Sequence, residues 1–468
     1  MPALHQLDAH HLLEAYRGRS LSPVEVLRDV LAHIAACEPL LHAAYAIDER
    51  SALNAAQASE RRWQRNEPIG VLDGVPAMLK ENIATLGVPI PLGCAATELL
   101  PARADAPPAA RLREAGAVIL GKTTMPDLGM LSSGLSSFHP LTRNPWNLRL
   151  NPGGSSAGAA AAAAAGYGPL QLGTDIGGSI RLPAGWCGVF GLKPSHGRIP
   201  IGAPYPARVA GPMTRSVGDA ALMMAVLSQP DWRDHMSLPA ERIEWMSLGR
   251  DLRGLRIGLL LDAGWGWPPE PQITTAITAA AKAFEAEGAI VEPLAPFADR
   301  EMADGIDRFW RTRAWVDLQA FGAEQRRRVL PFIVEWAEGG ASLSGVDVMR
   351  NYHQTLAMRA ATVAACQPFD FVLSPVSPMP AFAAELPCPT NDPARPFEHI
   401  AYTLPFNMSE QPAASINAGY TADGLPIGLQ IIGRRFDDLG VLQLARAWEQ
   451  MRPVQRPWPM SRPLDFPH

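Results

Sequence analysis

The sequence predicts an α/β protein built on a largely buried β-sheet, and three observations carry that prediction. Twice, a helix-length segment runs into a glycine and then directly into an apolar run. These are Ala109 to Gly116 before Ala117-Val118-Ile119-Leu120, and Ile273 to Gly288 before Ala289-Ile290-Val291. Further strand candidates stand at Arg256 to Leu261, Phe371-Val372-Leu373 and Ile427 to Ile432. Strands alternating with helices fit a layered architecture with a sheet covered on both faces. Composition agrees: 468 residues, 47% hydrophobic and 19% charged, with 40 Gly and 45 Pro, is globular and long enough to bury a sizeable core without disulfides.

Taken in chain order, Ser22-Pro23-Val24-Glu25 reads as a helix start. Ser caps, Pro suits the first helical position and Glu25 closes a capping box. Val24, Leu27, Leu31 and Ile34 then share one helical face. Gly116 and Gly288 end their helices because glycine takes the left-handed conformation without penalty. The seven alanines from Ala159 to Ala165 read as a small-residue helix packed close to the sheet. Pro230 to Arg253 mixes charge, Pro and Met, and reads as a surface crossover between two halves of one fold. Phe309, Trp310, Trp315, Phe321, Phe332 and Trp336 crowd the segment Ile306 to Trp336. Helix packing is the main reading for those aromatics and a substrate-pocket lid the lesser one.

The net charge of −5 gives no broad positive field for nucleic acid or anionic lipid. Arg326-Arg327-Arg328 reads as a solvated helix face. Cys37, Cys94, Cys187, Cys366 and Cys388 are widely spaced and form no CxxC pair, so neither a disulfide framework nor a metal site is expected. Residues Met1 to Asp8 lack the basic and apolar regions of a signal peptide, and the longest apolar stretch is too short to span a bilayer. A reducing, cytoplasmic setting is the expectation.

Several patterns match motifs by letter and fail on context. Gly116 to Thr123 fits the P-loop expression, but its middle residues form an apolar strand and no phosphate-cradling loop. Gly154-Ser155-Ser156-Ala157-Gly158 fits a nucleophile elbow centred on Ser156, yet the preceding Arg149-Leu150-Asn151-Pro152-Gly153 is no strand. His196, in a Pro/Gly turn, reads as structural. Cys187 lies in an apolar run, Trp186 to Phe190, and a buried neutral thiol is inert.

The strong signal runs from Asn151 to Pro194. It holds Gly153-Gly154-Ser155-Ser156-Ala157-Gly158, then Gly173-Thr174-Asp175-Ile176-Gly177-Gly178-Ser179-Ile180-Arg181, and closes with Gly191-Leu192-Lys193-Pro194. Two glycines before Ser179 let the backbone approach a ligand, so the amides of Ile176, Gly177, Gly178 and Ser179 can converge on one point as an oxyanion hole requires. On these residues alone, a Gly-rich turn capped by Ser is an equal reading. Upstream, Lys80 ends the mostly apolar run Val75 to Leu79. Burial would disfavour its ammonium, and a neutral lysine can act as a base. Local sequence alone favours a snorkelling lysine, or one paired with Glu81.

Together these segments closely resemble the amidase signature family. The flanking pieces Gly121-Lys122-Thr123, Thr142 to Trp146, Gly211-Pro212-Met213 and Gly424 to Gln430 are similar too, so the likeness spans Leu72 to Gly433. The resemblance implies a central mixed β-sheet covered by helices on both faces, in a single domain over 1–468. That domain would hold an N-terminal helical segment at about 1–65, a signature core at about 70–230 and a variable helical segment at about 300–360. It implies a Ser-cisSer-Lys triad: Ser179 as acylated nucleophile, Ser155 after a cis peptide as proton relay, and Lys80 as base. Ile176, Gly177, Gly178 and Ser179 would supply the oxyanion hole, with Thr174, Asp175 and Arg181 in support. The implied activity is hydrolysis of a small-molecule amide by water through an acyl-enzyme, without metal or organic cofactor. Neither nucleic acid nor membrane is an expected partner, and a homodimer is common among similar proteins. The aromatic segment points weakly to an aryl amide, anilide or carbamate. The rival reading is an amidotransferase A-type subunit that supplies ammonia for aminoacyl-tRNA amidation.

Overall fold

The computed structural model describes residues 3–202 and 204–459. Among them, β1 (Ala44–Tyr45), β2 (Pro76–Lys80), β3 (Val118–Thr123), β4 (Leu170–Asp175), β5 (Phe190–Lys193) and β6 (Val209–Thr214) come from the first half of the chain. The second half supplies β7 (Arg256–Leu259), β8 (Ile290–Pro293), β9 (Phe371–Pro375), β10 (Ala413–Tyr420) and β11 (Pro426–Gly433). They form one sheet in the order β1-β3-β2-β4-β6-β5-β10-β11-β9-β7-β8. The block β3-β2-β4 is parallel, as is β9-β7-β8; the strands between them pair antiparallel. The sheet is therefore mixed, and helices pack against it, as expected.

Local sequence explains most boundaries. Ser22 and Glu25 form the reciprocal capping box that starts the Pro23–Leu41 helix. Gly116 (φ +87°) and Gly288 (φ +94°) end their helices in the left-handed conformation, and each is followed by an apolar strand. The Ala157–Ala165 helix is buried along its whole length. At Gly158, a Cβ would stand only 2.3 Å from the Ala43 carbonyl oxygen and 2.4 Å from the Thr124 nitrogen. Small residues let this helix pass through the middle of the molecule. Pro230 to Arg253 carries neither helix nor strand and links the Val217–Leu227 helix to β7. The run after Gly288 forms β8, an edge strand with Ile290 exposed.

Parallel pairing of β2 with β4, Leu79 opposite Leu172, brings the carboxyl ends of both strands to one side of the sheet. In open α/β sheets, ligands gather at that end. Lys80 is the last residue of β2 and Asp175 the last of β4. Among the described residues, no helix is long and apolar enough to cross a membrane.

Candidate active site

Lys80 is completely buried, and its Nζ donates to Ser155 Oγ (2.8 Å), Ser156 Oγ (3.1 Å) and Thr174 Oγ1 (3.1 Å). Burial is the main reason its pKa falls to about 7; the charges of Asp175 and Glu81 oppose that fall, and the charge of Arg208 adds to it. The salt-bridge reading does not hold, because Glu81 points elsewhere, to His139 Nε2 at 2.8 Å.

The two adjacent serines have different surroundings. The Gly154–Ser155 peptide bond is cis. Gly154 has no room for a side chain, since a Cβ there would meet Ser133 and Leu131 backbone atoms within 2.7 Å. Ser156 Oγ donates to the Thr174 carbonyl (3.1 Å) and accepts from the Thr174 amide (3.2 Å). The Ser156 amide in turn donates to the Ser179 carbonyl (3.2 Å). That bond holds the Ser155–Ser156 segment against the segment bearing Ser179.

Ser179 opens on a cavity with Ile176 and Gly177 beside it. Asp175 organises this turn. Its Oδ1 accepts from the Gly178 amide (2.8 Å) and its Oδ2 from the Ile180 amide (3.0 Å). Of the four amides in the expected oxyanion set, that of Gly178 is therefore engaged by Asp175. Gly178 adopts φ +133°, and a Cβ there would lie 2.5 Å from Thr403 Oγ1. Arg181, fully buried, grips Asp175 through Nε (3.1 Å) and Nη2 (3.0 Å). It also donates to the Thr403 carbonyl (2.9 Å), Gln430 Oε1 (2.7 Å) and Asn407 Oδ1. Burial by itself would raise the Asp175 carboxyl, but the charge and hydrogen bonds of Arg181 outweigh it and hold the group well below the usual range.

The misleading motifs stay apart from this chemistry. Lys122 lies in β3 and bonds Thr85 Oγ1 (2.7 Å) and the Ile83 carbonyl, with no loop around it. Cys187 is buried, with its thiol pushed up by desolvation. His196 bonds the Tyr205 carbonyl at 3.1 Å.

Sequence reasoning did not reach several residues here. Asn82 bonds Thr174 Oγ1 (3.1 Å), Thr403 Oγ1 donates to the Gly177 carbonyl (2.7 Å), and Asn407 Nδ2 donates to Asp175 Oδ1 (2.8 Å). The cavity walls add Leu182, Phe397 and Ile400. Trp310 and Trp336 from the aromatic segment line it as well. Phe309 packs instead at a tilt against Tyr352 (ring centroids 5.3 Å apart), and Trp315 lies under Arg326 (5.5 Å).

Comparison with known proteins agrees with this geometry. The profile of the Amidase family matches residues 25–442. The chain is 34% identical to the A-type subunit of the glutamyl-tRNA(Gln) amidotransferase of Geobacter metallireducens, covering 96% of this chain and 97% of that protein. It is 32% identical to an acylamidase of Rhodococcus erythropolis, covering 99% and 98%. The solved structure of a bacterial aryl acylamidase of the amidase signature enzymes superposes with a TM-score of 0.91, at 30% identity over 99% of this chain and 100% of that one. The chain belongs to the amidase family and is a hydrolase of carbon–nitrogen bonds in amides.

Proposed function

We propose that the chain is a stand-alone amidohydrolase of apolar or aryl amides, with Ser179, Ser155 and Lys80 as its catalytic set. The observation that carries this is a fully buried lysine whose Nζ lies 2.8 Å from a serine hydroxyl beside the cavity. Ser179 Oγ attacks the amide carbonyl while its proton passes to Ser155 Oγ, and the Ser155 proton passes to neutral Lys80. Negative charge develops on the carbonyl oxygen, where the amides of Ile176, Gly177 and Ser179 are available to donate. The intermediate collapses, the carbon–nitrogen bond breaks, and the amine leaves with the proton returned through Ser155. Water then attacks the acyl-Ser179 ester by the same relay, releasing acid and free enzyme. Asp175 and Arg181 shape the turn and do not react themselves.

Among the cavity walls, Leu182, Trp310, Trp336, Phe397 and Ile400 support an apolar amide. They fit less well with the glutamine-type amide that an ammonia-supplying subunit would take, although subunits of that name are comparably similar to this chain. All five cysteines are buried and unpaired, which supports a reducing, cytoplasmic setting; a homodimer is the expected assembly. The test is purified chain alone, without ATP or other subunits, on para-nitroanilides and on glutamine, with fluorophosphonate labelling mapped by mass spectrometry. Anilide turnover and a label on Ser179 are expected. Glutamine turnover without anilide turnover would favour the amidotransferase reading, and a label elsewhere would remove Ser179 as nucleophile.

A further inference from the structure

The cavity beside Ser179 has one charged side chain in its lining, Arg313, and no carboxylate among its described lining residues. Arg313 stands on the Arg300–Gln319 helix one turn after Trp310. The Trp310 ring touches the turn before Ser179: its Cη2 lies 3.1 Å from where a Gly177 Cβ would be. Three residues advance a helix by about 4.5 Å, so Arg313 is rooted one turn along from the ring that touches the turn before Ser179. Its guanidinium lies 4.8 Å from the Tyr205 ring centroid. Stacking of this kind pre-orients the planar fork that accepts carboxylates in a bidentate manner. Its ion pair with Asp317 is long, at 4.0 Å, and that carboxylate is 52% exposed. A second guanidinium is near: burial and then the Arg313 charge lower the pKa of Arg208. Apolar walls suit the body of an amide, but a cation facing such a cavity with one weakly held counter-charge is costly unless the ligand brings an anion.

We infer that Arg313 is a specificity-determining residue that binds a carboxylate of the substrate, so that the preferred class is apolar or aryl amides carrying an anionic group remote from the scissile bond. This rests on the amidohydrolase reading of the same cavity. The test uses two matched pairs. One is butyryl and succinyl para-nitroanilide, which differ by a carboxylate on the acyl side. The other is para-methylacetanilide and para-acetamidobenzoate, which differ on the leaving-group side.

In at least one pair, wild type should favour the anionic member by roughly ten- to a hundredfold in kcat/KM, the range for a hydrogen bond to a charged group. The preference should reside in KM and shrink in about 0.5 M NaCl, because Arg313 is partly exposed. Arg313→Met should bring the anionic-to-neutral ratio towards one, Arg313→Lys should keep part of it, and Arg313→Glu should reverse it in favour of the cationic 4-aminobutyryl anilide. Hydrolysis of the neutral members with no anionic preference in either pair would overturn the inference and leave the amidohydrolase reading intact. So would an Arg313→Met enzyme with the wild-type ratio. Failure to hydrolyse any member, together with no label at Ser179, would bring down both.

Discussion

Replacing Lys80 by Met, and separately titrating the wild type, probes the proposed base in two independent ways. Its folded pKa of about 7 against an unfolded 10.5 fixes both signs. The neutral amine is the active form, so kcat/KM on a neutral anilide should rise with pH and level off above about 7. At pH 5 roughly one lysine in a hundred is neutral, and the rate should be about 100-fold below the plateau. Lys122 and Lys193 are drawn to about 7 by burial as well, so the rate profile by itself does not assign the step to Lys80. Stability does. Between pH 7 and 10.5 the unfolded chain holds a proton on Lys80 that the folded chain has released, so this residue makes unfolding costlier as pH rises. From pH 7 to pH 10 the gain is on the order of 3–4 kcal/mol. Lys80→Met lacks it. Urea unfolding of both proteins at the two pH values should show wild type gaining that much over the variant. A difference that stays constant within about 1 kcal/mol, or a rate flat down to pH 5, would refute the neutral-lysine argument.

Further expectations concern the surrounding turn. Ser179→Ala should abolish probe labelling, and Ser155→Ala should cost at least ~10³-fold in kcat. Ser156→Ala should act mainly on stability, lowering it by about 1–3 kcal/mol in urea unfolding because both polar groups of the Thr174 backbone lose their partner. Gly178→Ala places a Cβ at φ +133° and 2.5 Å from Thr403 Oγ1, so circular dichroism melting should show a less stable protein and anilide assays a nearly inactive one. Arg181→Met leaves the Asp175 charge buried without its partner and should destabilise by about 3–5 kcal/mol. Adding Asp175→Leu should recover part of that loss in the same denaturant series.

What the sequence disclosed follows from how local each requirement is. Gly116 and Gly288 were legible as helix stops because positive φ is a one-residue condition, and Ser22 with Glu25 because a capping box spans four. Strand order was not legible. Placing β10 between β5 and β11 pairs Ala413 with both Lys193 and Ile432, and nothing near Ala413 announces those partners. The edge position of the strand after Gly288 was not legible for the same reason: an apolar run does not say which strand is outermost. Apart from Asp175, the partners of Arg181 lie 222 to 249 residues away. Trp310 looks like any helix-packing aromatic until its helix crosses Gly177.

The doubled serine shows how hydrogen-bond counting goes beyond a motif. Ser155-Ser156 gives two hydroxyls near one lysine, and position in a pattern was all that separated them. As an ammonium, Lys80 can donate to Ser155, Ser156 and Thr174 together. On losing a proton it keeps two N–H groups and gains one lone pair. Ser156 has already committed its proton to the Thr174 carbonyl, so towards Lys80 it can only accept. Thr174 Oγ1 takes a bond from Asn82 as well, so both of its lone pairs are filled when Lys80 donates. The lysine lone pair can then take the proton of Ser155 or of Thr174, and of these two it is Ser155 whose Oγ lies 3.6 Å from where a Cβ on the cavity-lining Gly129 would stand. A relay needs a hydroxyl with an acceptor on one side and the reaction space on the other, and Ser155 is the serine of the pair that has both. Ser155→Ala should therefore remove the link between the lysine titration and turnover. Ser156→Ala should keep the inflection near pH 7 even where it lowers the yield of folded protein.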